Sequence, residues 1–283
     1  MVDTKIETKI VFFDIDGTLI GWDATPSQKV IEAIHRLKAN GHRAVLCTGR
    51  NRCMIDPAVL NIGFDGIICS AGSYIEYDNQ IIDQTFIEHD KLLQIISLLQ
   101  KHNILTNLEG TYASYYDDEL VNALMLSPDI QCTSEIKKIH AELGKVDNRY
   151  TLTTFYKQIV PIHKISYMAQ NMGDVRQLQQ QIGKEYQVHV HEIFPGSVIN
   201  GEIIPKKTHK GTAILTLLDY LHIPRKNSIA FGDSMNDYEM LQTVQYGVAM
   251  ANGSKELQEI ADASCPSVEK DGVYYGLQDL DLL

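Results

Sequence analysis

The sequence predicts an α/β protein: a doubly wound, mostly parallel sheet of Rossmann-like type, interrupted by an inserted α+β module. Three observations carry this. Short apolar runs at residues 10–13, 44–47 and 228–231 stop abruptly in polar residues, as buried parallel strands do at their carboxyl ends. Segments of helical periodicity alternate with those runs, which calls for parallel pairing through right-handed crossovers. The alternation lapses between Asp83 and His191, where aromatic and amide residues gather, and resumes after Lys210.

Taken in order, the first run ends in K-I-V-F-F-D-I-D-G-T-L-I, with Asp14 and Asp16 followed by Gly17 and Thr18. An Asp-x-Asp-Gly string also suits a calcium loop, but here the sixth position is Leu19 and the twelfth Thr25, where Gly and Glu are needed. Thr25-Pro26-Ser27-Gln28 offers a helix N-cap, a proline at the first helical position and a capping partner. Val30, Ile31, Ile34 and Leu37 then recur at helical spacing until Asn40-Gly41. Residues 44–50, A-V-L-C-T-G-R, read as the second strand, and residues 64–70 as a third that runs into Ser70-Ala71-Gly72-Ser73.

Within the interruption, the pattern predicts helices over residues 90–100 and 174–182, and strands over 112–116, 162–168 and 186–193. Beyond it, Ala213, Ile214, Leu217, Leu218 and Leu221 form a helix face closed by His222-Ile223-Pro224. The strand at 228–231 ends in G-D-S-M-N-D, Gly232 to Asp237. Residues 247–250 make another strand, 254–260 another helix, and Asp271-Gly272-Val273 leads into a last one. The expected organisation is therefore a core of residues 1–83 and 192–283 holding an insert of residues 84–191.

Composition narrows the function. Of 283 residues, 44% are hydrophobic and 22% charged, enough for a sizeable core without biased tracts. A net charge of −11 argues against nucleic acid or an anionic membrane as partner. No apolar run reaches the roughly 18 residues of a membrane span, and the first residues lack a signal peptide's apolar segment, so a cytoplasmic location is expected. Cys47, Cys53, Cys69, Cys132 and Cys265 are scattered and never spaced as C-x-x-C, which suits reduced packing residues. A nucleophilic role for Cys47 is set aside because Val45, Leu46 and Thr48 place it inside a strand.

In a parallel sheet, the strand ends bearing Asp14 and Asp16, Thr48, and Asp233 with Asn236 and Asp237 lie on one edge. Crowded carboxylates repel, and the remedies are protonation or a bound cation. Oxygen ligands from few carboxylates suit Mg²⁺, which also takes substrate phosphate oxygens. A phosphate dianion beside Asp14 and Asp233 sums to about four negative charges; Mg²⁺ offsets two and a lysine a third, leaving the rest to amides. Lys210 is the best-placed lysine, with Lys206 and Lys207 as competitors. Asp16 follows Asp14 by two, so on extended chain one carboxylate can attack while its neighbour carries a proton. Gly17 lets the backbone approach a phosphate closely.

These motifs, D-I-D-G-T at Asp14 to Thr18, Thr48-Gly49-Arg50, Lys210-Gly211 and G-D-S-M-N-D, resemble in order the four motifs of the haloacid dehalogenase superfamily. Nearly the whole chain is similar to the Cof-type sugar-phosphate phosphatases, whose cap, of subfamily IIB, is inserted between the second and third motifs. The resemblance implies an Asp14 nucleophile forming an aspartyl-phosphate, and Asp16 as general acid and base. It implies Mg²⁺ held by Asp14, Asp233 and the backbone carbonyl of Asp16, and phosphoryl oxygens held by Thr48, Gly49, Lys210 and Asn236. Asp237 would position Lys210 or a metal-bound water. The implied partner is a small phosphorylated metabolite, with specificity set by the cap's inner surface. One departure is local: the family often carries Asn-Gly near residues 70–72, where this chain has Ser-Ala-Gly-Ser.

A phosphosugar mutase of the phosphomannomutase type would keep the aspartyl-phosphate and return it to sugar, but its glycine-richer spacer before Asn-Asp is missing from Gly232 to Asp237. A non-catalytic binding or regulatory homologue would lack one of the acids, and all are present. His189 and His191 would share a strand face as metal ligands do, though solvent-facing or packing roles suit them better. Tyr112, Tyr115 and Tyr116 read as sheet packing before sugar stacking, and Arg50 either touches phosphate or braces its loop.

Overall fold

The computed structural model describes residues 7–21, 25–117, 148–193 and 199–283. Contacts divide the chain into two compact units: residues 1–50, 55–83 and 209–283 form one, and residues 51–54 with 84–208 the other.

The first part of the chain supplies strands β1 (Ile10–Phe13), β2 (Arg43–Cys47), β3 (Gly66–Cys69), β4 (Tyr74–Tyr77) and β5 (Gln80–Gln84), with helices α1 (Gln28–Ala39) and α2 (Pro57–Leu60). The helix α1 is capped by Ser27, whose hydroxyl accepts from the Val30 amide, and not by Thr25, because Pro26 lies outside the first turn. The insert supplies α3 (His89–Lys101), β6 (Leu105–Glu109), β7 (Ser114–Tyr116), β8 (Arg149–Thr151), α4 (Leu152–Lys157), β9 (Lys164–Ala169), α5 (Met172–Gln181), β10 (Tyr186–Ile193) and β11 (Ile199–Pro205). The first unit then resumes with α6 (Lys210–Tyr220), β12 (Ser228–Gly232), α7 (Tyr238–Thr243), β13 (Tyr246–Met250), α8 (Lys255–Ile260), β14 (Ala263–Cys265) and α9 (Gly272–Asp279).

In the first unit the strand order is β14-β13-β12-β1-β2-β3-β4-β5. Pairing is parallel from β14 to β3 and antiparallel between β3 and β4. The β4–β5 hairpin was not foreseen; its two-residue turn, Asp78-Asn79, has both residues at positive φ (48° and 60°), the conformation of a type I′ turn. The central strands β12, β1, β2 and β3 are buried on both faces, which is why they read as nearly unbroken apolar runs. Val11, Phe13 and Leu46 pack against Ile34 and Leu37 of α1 and Val273 and Leu277 of α9. Ile10, Phe12 and Val45 pack against Ile214 and Leu217 of α6 and Met240 of α7. The register sets Phe13 beside both Leu46 and Phe231, so the polar residues that follow each of them emerge along one edge.

In the second unit the order is β10-β11-β9-β6-β7-β8, and one face carries the apolar cluster of Leu108, Tyr115, Ile165, Tyr167 and Ile203 beneath α3, α4 and α5. The insert runs past the expected end at residue 191: β11 pairs antiparallel with both β10 and β9, so the chain returns to the first unit only after Thr208. The anticipated strand over residues 112–116 is shorter, β7, and Tyr112 is 74% exposed in the turn before it. Cys132 lies outside the described residues.

Phe13 and Phe231 stack with centroids 5.4 Å apart directly beneath the acidic edge, and both are fully buried. Phe231→Ala is expected to cost about 3–5 kcal/mol through the cavity it leaves, read as a lower midpoint in chemical unfolding of this unit.

Candidate active site

Asp14 follows β1 directly, and its amide donates to the Phe231 carbonyl at 3.0 Å, tying the first acidic loop to the neighbouring strand. Its side chain is 3% exposed. Lys210, at the start of α6 and 2% exposed, donates to Asp14 Oδ1 at 2.7 Å and to Asp237 Oδ1 at 2.6 Å. The other oxygen of Asp237 accepts from the Asp233 and Ser234 amides at 3.0 and 3.2 Å, so this carboxylate folds the G-D-S-M-N-D loop around the lysine.

One ammonium thus serves two buried carboxylates. Burial, only partly opposed by Lys210 and reinforced by Asp237 and Asp16, pushes the Asp14 carboxyl up to about 7. Burial works against the charge on Lys210, but Asp14 and Asp237 outweigh it and hold the amine protonated above the ordinary lysine range. Cys47, beneath them, is pushed up by burial, which disfavours the thiolate a nucleophile would need.

Ligand oxygens of Asp14, Asp233 and Asp237 all lie within 4.8 Å of one another, the one such grouping among the described residues. Asp237 is committed to Lys210 and two amides, which leaves Asp14 and Asp233 as the side chains suited to a divalent cation. The backbone makes room for Asp233: at Gly17, φ is +84°, and a Cβ there would fall 2.1 Å from Asp233 Oδ2. An all-oxygen pair in a cradle that only glycine leaves open fits Mg²⁺.

Asp16 is more exposed than Asp14 and is gripped by Arg50, whose Nε and Nη2 donate to its two oxygens at 2.8 Å each. Of the two roles left open for Arg50, the structure shows the brace. Thr48 is buried, its hydroxyl accepting from the Arg50 amide at 3.2 Å. Gly49 faces Asn236, whose Nδ2 would lie 3.9 Å from a Cβ at that glycine. Each residue singled out at the strand ends therefore falls within these adjoining loops. Lys206 and Lys207 belong to the other unit.

Sequence reading missed Asn252. Its Nδ2 donates to the Gly17 carbonyl and its Oδ1 accepts from the Val268 amide, both at 2.8 Å, so it clamps the Asp14–Gly17 loop from the turn after β13. The signal was present in A-N-G-S at residues 251–254, turn residues closing a strand at the same edge. Strand alternation is interrupted after His189, because the register of β10 shifts between Val190 and Glu192.

The Ser-Ala-Gly departure has a structural cost. Ser70, Ala71 and Gly72 take φ of 50°, 55° and 99°, a left-handed run in which Asn and Gly are the comfortable residues. The run packs against the entry to α6: a Cβ on Gly72 would meet the His209 carbonyl oxygen at 2.5 Å.

A family model of haloacid dehalogenase-like hydrolases matches residues 11–277. The chain belongs to this family. Within the superfamily it is a phosphatase of the Cof type, as the order of its motifs led one to expect. Among its relatives, the 5-amino-6-(5-phospho-D-ribitylamino)uracil phosphatase YitU of Bacillus subtilis is 27% identical, covering 95% of this chain and 96% of its own. The same organism's YwtE, described by the same activity, is 24% identical over 96% and 98%. The subclass IIB sugar phosphatase BT4131 shares the fold with a TM-score of 0.78 at 20% identity, over 98% of this chain and all of the other.

Two outcomes follow from this geometry. Gly17→Ala is expected to push Asp233 away from Asp14 and to weaken Mg²⁺ binding by about tenfold or more, measured by calorimetric titration with the fold checked by circular dichroism. The raised Asp14 carboxyl means that, without metal, the native state holds a proton that the unfolded chain has already lost between its ordinary value of 3.8 and about 7. Metal-free stability should therefore fall as pH rises through that window, and Asp14→Asn should flatten the fall in Tm.

Proposed function

We propose that the protein is a Mg²⁺-dependent phosphatase of small organic phosphate monoesters, sugar and polyol phosphates above all, working through an aspartyl-phosphate. The observation that carries the reading is the buried Asp14 carboxylate bound to a buried lysine, with Asp233 within ligand distance and a second acid, Asp16, two residues on and separately held.

The chemistry assigns one task to each group. The Asp14 carboxylate attacks phosphorus in line, forming an acyl phosphate as the bond to the ester oxygen breaks. Asp16 gives its proton to that departing alkoxide. It then takes a proton from the water that attacks the acyl phosphate, so inorganic phosphate leaves and Asp14 is restored. Arg50 fixes the direction in which Asp16 points. Lys210, the Gly49 amide, Thr48 and Asn236 hold the phosphoryl oxygens, and Asp237 keeps Lys210 aimed at them. Asp14, Asp233 and the Asp16 carbonyl would hold Mg²⁺, which when bound would supply positive charge against the phosphoryl oxygens.

The substrate class is supported by the relatives. YitU and YwtE are named for a compound whose phosphate sits on a ribityl chain, and BT4131 is named a sugar phosphatase. Both kinds of compound present a phosphate on a hydroxylated carbon chain. The implied partner is thus a small phosphorylated metabolite.

A panel of sugar, polyol, nucleotide and cofactor phosphates should show phosphate release that needs Mg²⁺ and is fastest for sugar or polyol esters. Transfer of the phosphoryl group to another hydroxyl of the sugar, without phosphate release, would overturn hydrolysis. Asp14→Asn should lower turnover by about 10³-fold or more while leaving substrate affinity within a few fold, because the amide keeps the shape and loses the nucleophile.

A further inference from the structure

The turn after β13, residues 250–254, touches two acidic loops of the first unit. On one side, Asn252 Nδ2 donates to the Gly17 carbonyl at 2.8 Å, while the Gly17 amide donates to the Ile20 carbonyl at 2.8 Å. Both peptide planes that meet at Gly17 are thereby held, and the first of them carries the Asp16 carbonyl. Rotation about this glycine, at φ +84°, would otherwise be the freest in the loop. On the other side, the Ser254 amide donates to the Asp233 carbonyl at 2.8 Å, and a Cβ on Gly253 would fall 2.4 Å from the same oxygen. The turn therefore lies flush against the backbone of Asp233 while it holds the backbone next to Asp16.

The turn is itself stapled. Gln258 of α8 brings Nε2 to the carbonyls of Met250, Ala251 and Gly253 at 3.2, 3.3 and 3.0 Å. The Gly253 amide closes the turn onto the Met250 carbonyl at 2.9 Å, and Asn252 Oδ1 fastens its outer side to the Val268 amide at 2.8 Å. Stability alone does not call for this. Asn252 is exposed, and water would satisfy the same carbonyls at little cost in free energy. What water does not supply is a fixed position.

We propose that residues 250–254 form a bracket that sets the spacing between the Asp14–Gly17 loop and Asp233, and that Asn252 and Gln258 are positioning residues for the divalent cation of the acidic edge. The proposal rests on the reading of Asp14 and Asp233 as the metal-holding pair. Asn252 acts through the Gly17 peptide, and Gln258 through the carbonyls of the turn. The consequence is ion selectivity. Mg²⁺ demands oxygen ligands at about 2.0–2.1 Å in near-octahedral array, whereas Ca²⁺ accepts about 2.3–2.6 Å and irregular geometry. A frame held at the separation Mg²⁺ needs favours the stricter ion; a frame free to spread accommodates the larger one.

The test is calorimetric titration of the full-length protein with Mg²⁺ and with Ca²⁺, in the parent, Asn252→Ala and Gln258→Met. Each variant should bind Mg²⁺ about three- to tenfold more weakly and Ca²⁺ within about twofold of the parent. The Mg²⁺-to-Ca²⁺ affinity ratio therefore falls, while the metal-free Tm stays within about 3 °C. Both substitutions replace one neutral side chain by another, so a changed ratio is not an effect of charge. Gln258→Lys, which returns an ammonium's three donors to the three carbonyls, should recover the ratio. Unchanged Mg²⁺ affinity in both variants, or Mg²⁺ and Ca²⁺ affinities that fall together with Tm, would overturn the proposal. A lowered ratio in variants of a parent that releases phosphate from no ester would support the bracket and overturn the phosphatase reading alone. A parent that binds no Mg²⁺ overturns both.

Discussion

The first unit is organised around a single ammonium group. Lys210 is almost completely buried and holds two carboxylates, Asp14 and Asp237, that arrive from different strands. Removing one member of such a buried pair costs about 3–5 kcal/mol, because the partner's charge is left without compensation. The arrangement is therefore over-determined on every side. Asp237 is fixed by two amides of its own loop, and Gly72 presses on the carbonyl just before Lys210. Asn252 clamps the loop after Asp14. The left-handed backbone at Ser70 and Ala71 stores strain at this point, next to the contact of Gly72 with the His209 carbonyl.

The acidic edge was legible in the sequence because its determinants are local. An apolar run that stops in Asp14, another that stops in Thr48 and a third that stops before Asp233 need only parallel pairing to converge, and the observed register of Phe13 with Leu46 and Phe231 provides it. What escaped notice depends on contacts that no short window contains. Asn252 acts through a carbonyl 235 residues away. The role of Arg50 was ambiguous because both readings predict an arginine at that place, and only the two short contacts to Asp16 separate them. The insert was harder still. Two of its strands, β7 and β8, have only three residues each, and β11 joins the sheet by pairing on both sides. A three-residue strand carries too little alternation to be told from a loop.

The two sheets differ in how they use their faces. The larger one is apolar on both sides and presents chemistry only at its edge, from loops whose backbone is locked by the strands beneath. The smaller one is apolar on one side only and presents side chains from the strands themselves, where backbone hydrogen bonding fixes their spacing. Reactive groups thus sit on loops held by the larger sheet, while the polar face of the smaller sheet is tied together by the buried ion network of Glu109, Lys164 and Glu202.

The order in which the chain is made adds a further constraint. The strand β1 lies in the middle of its sheet, yet one of its two neighbours, β12, begins 218 positions later than β1 does, at Ser228 against Ile10. Until the ribosome has delivered nearly the whole polypeptide, β1 presents an open, fully apolar edge, and such edges invite pairing with other nascent chains. The insert meanwhile has all its strands in hand and is free to fold first. Biogenesis of this enzyme therefore includes an interval in which the central strand is paired on one side at most, and it lasts until Ser228–Gly232 has been made.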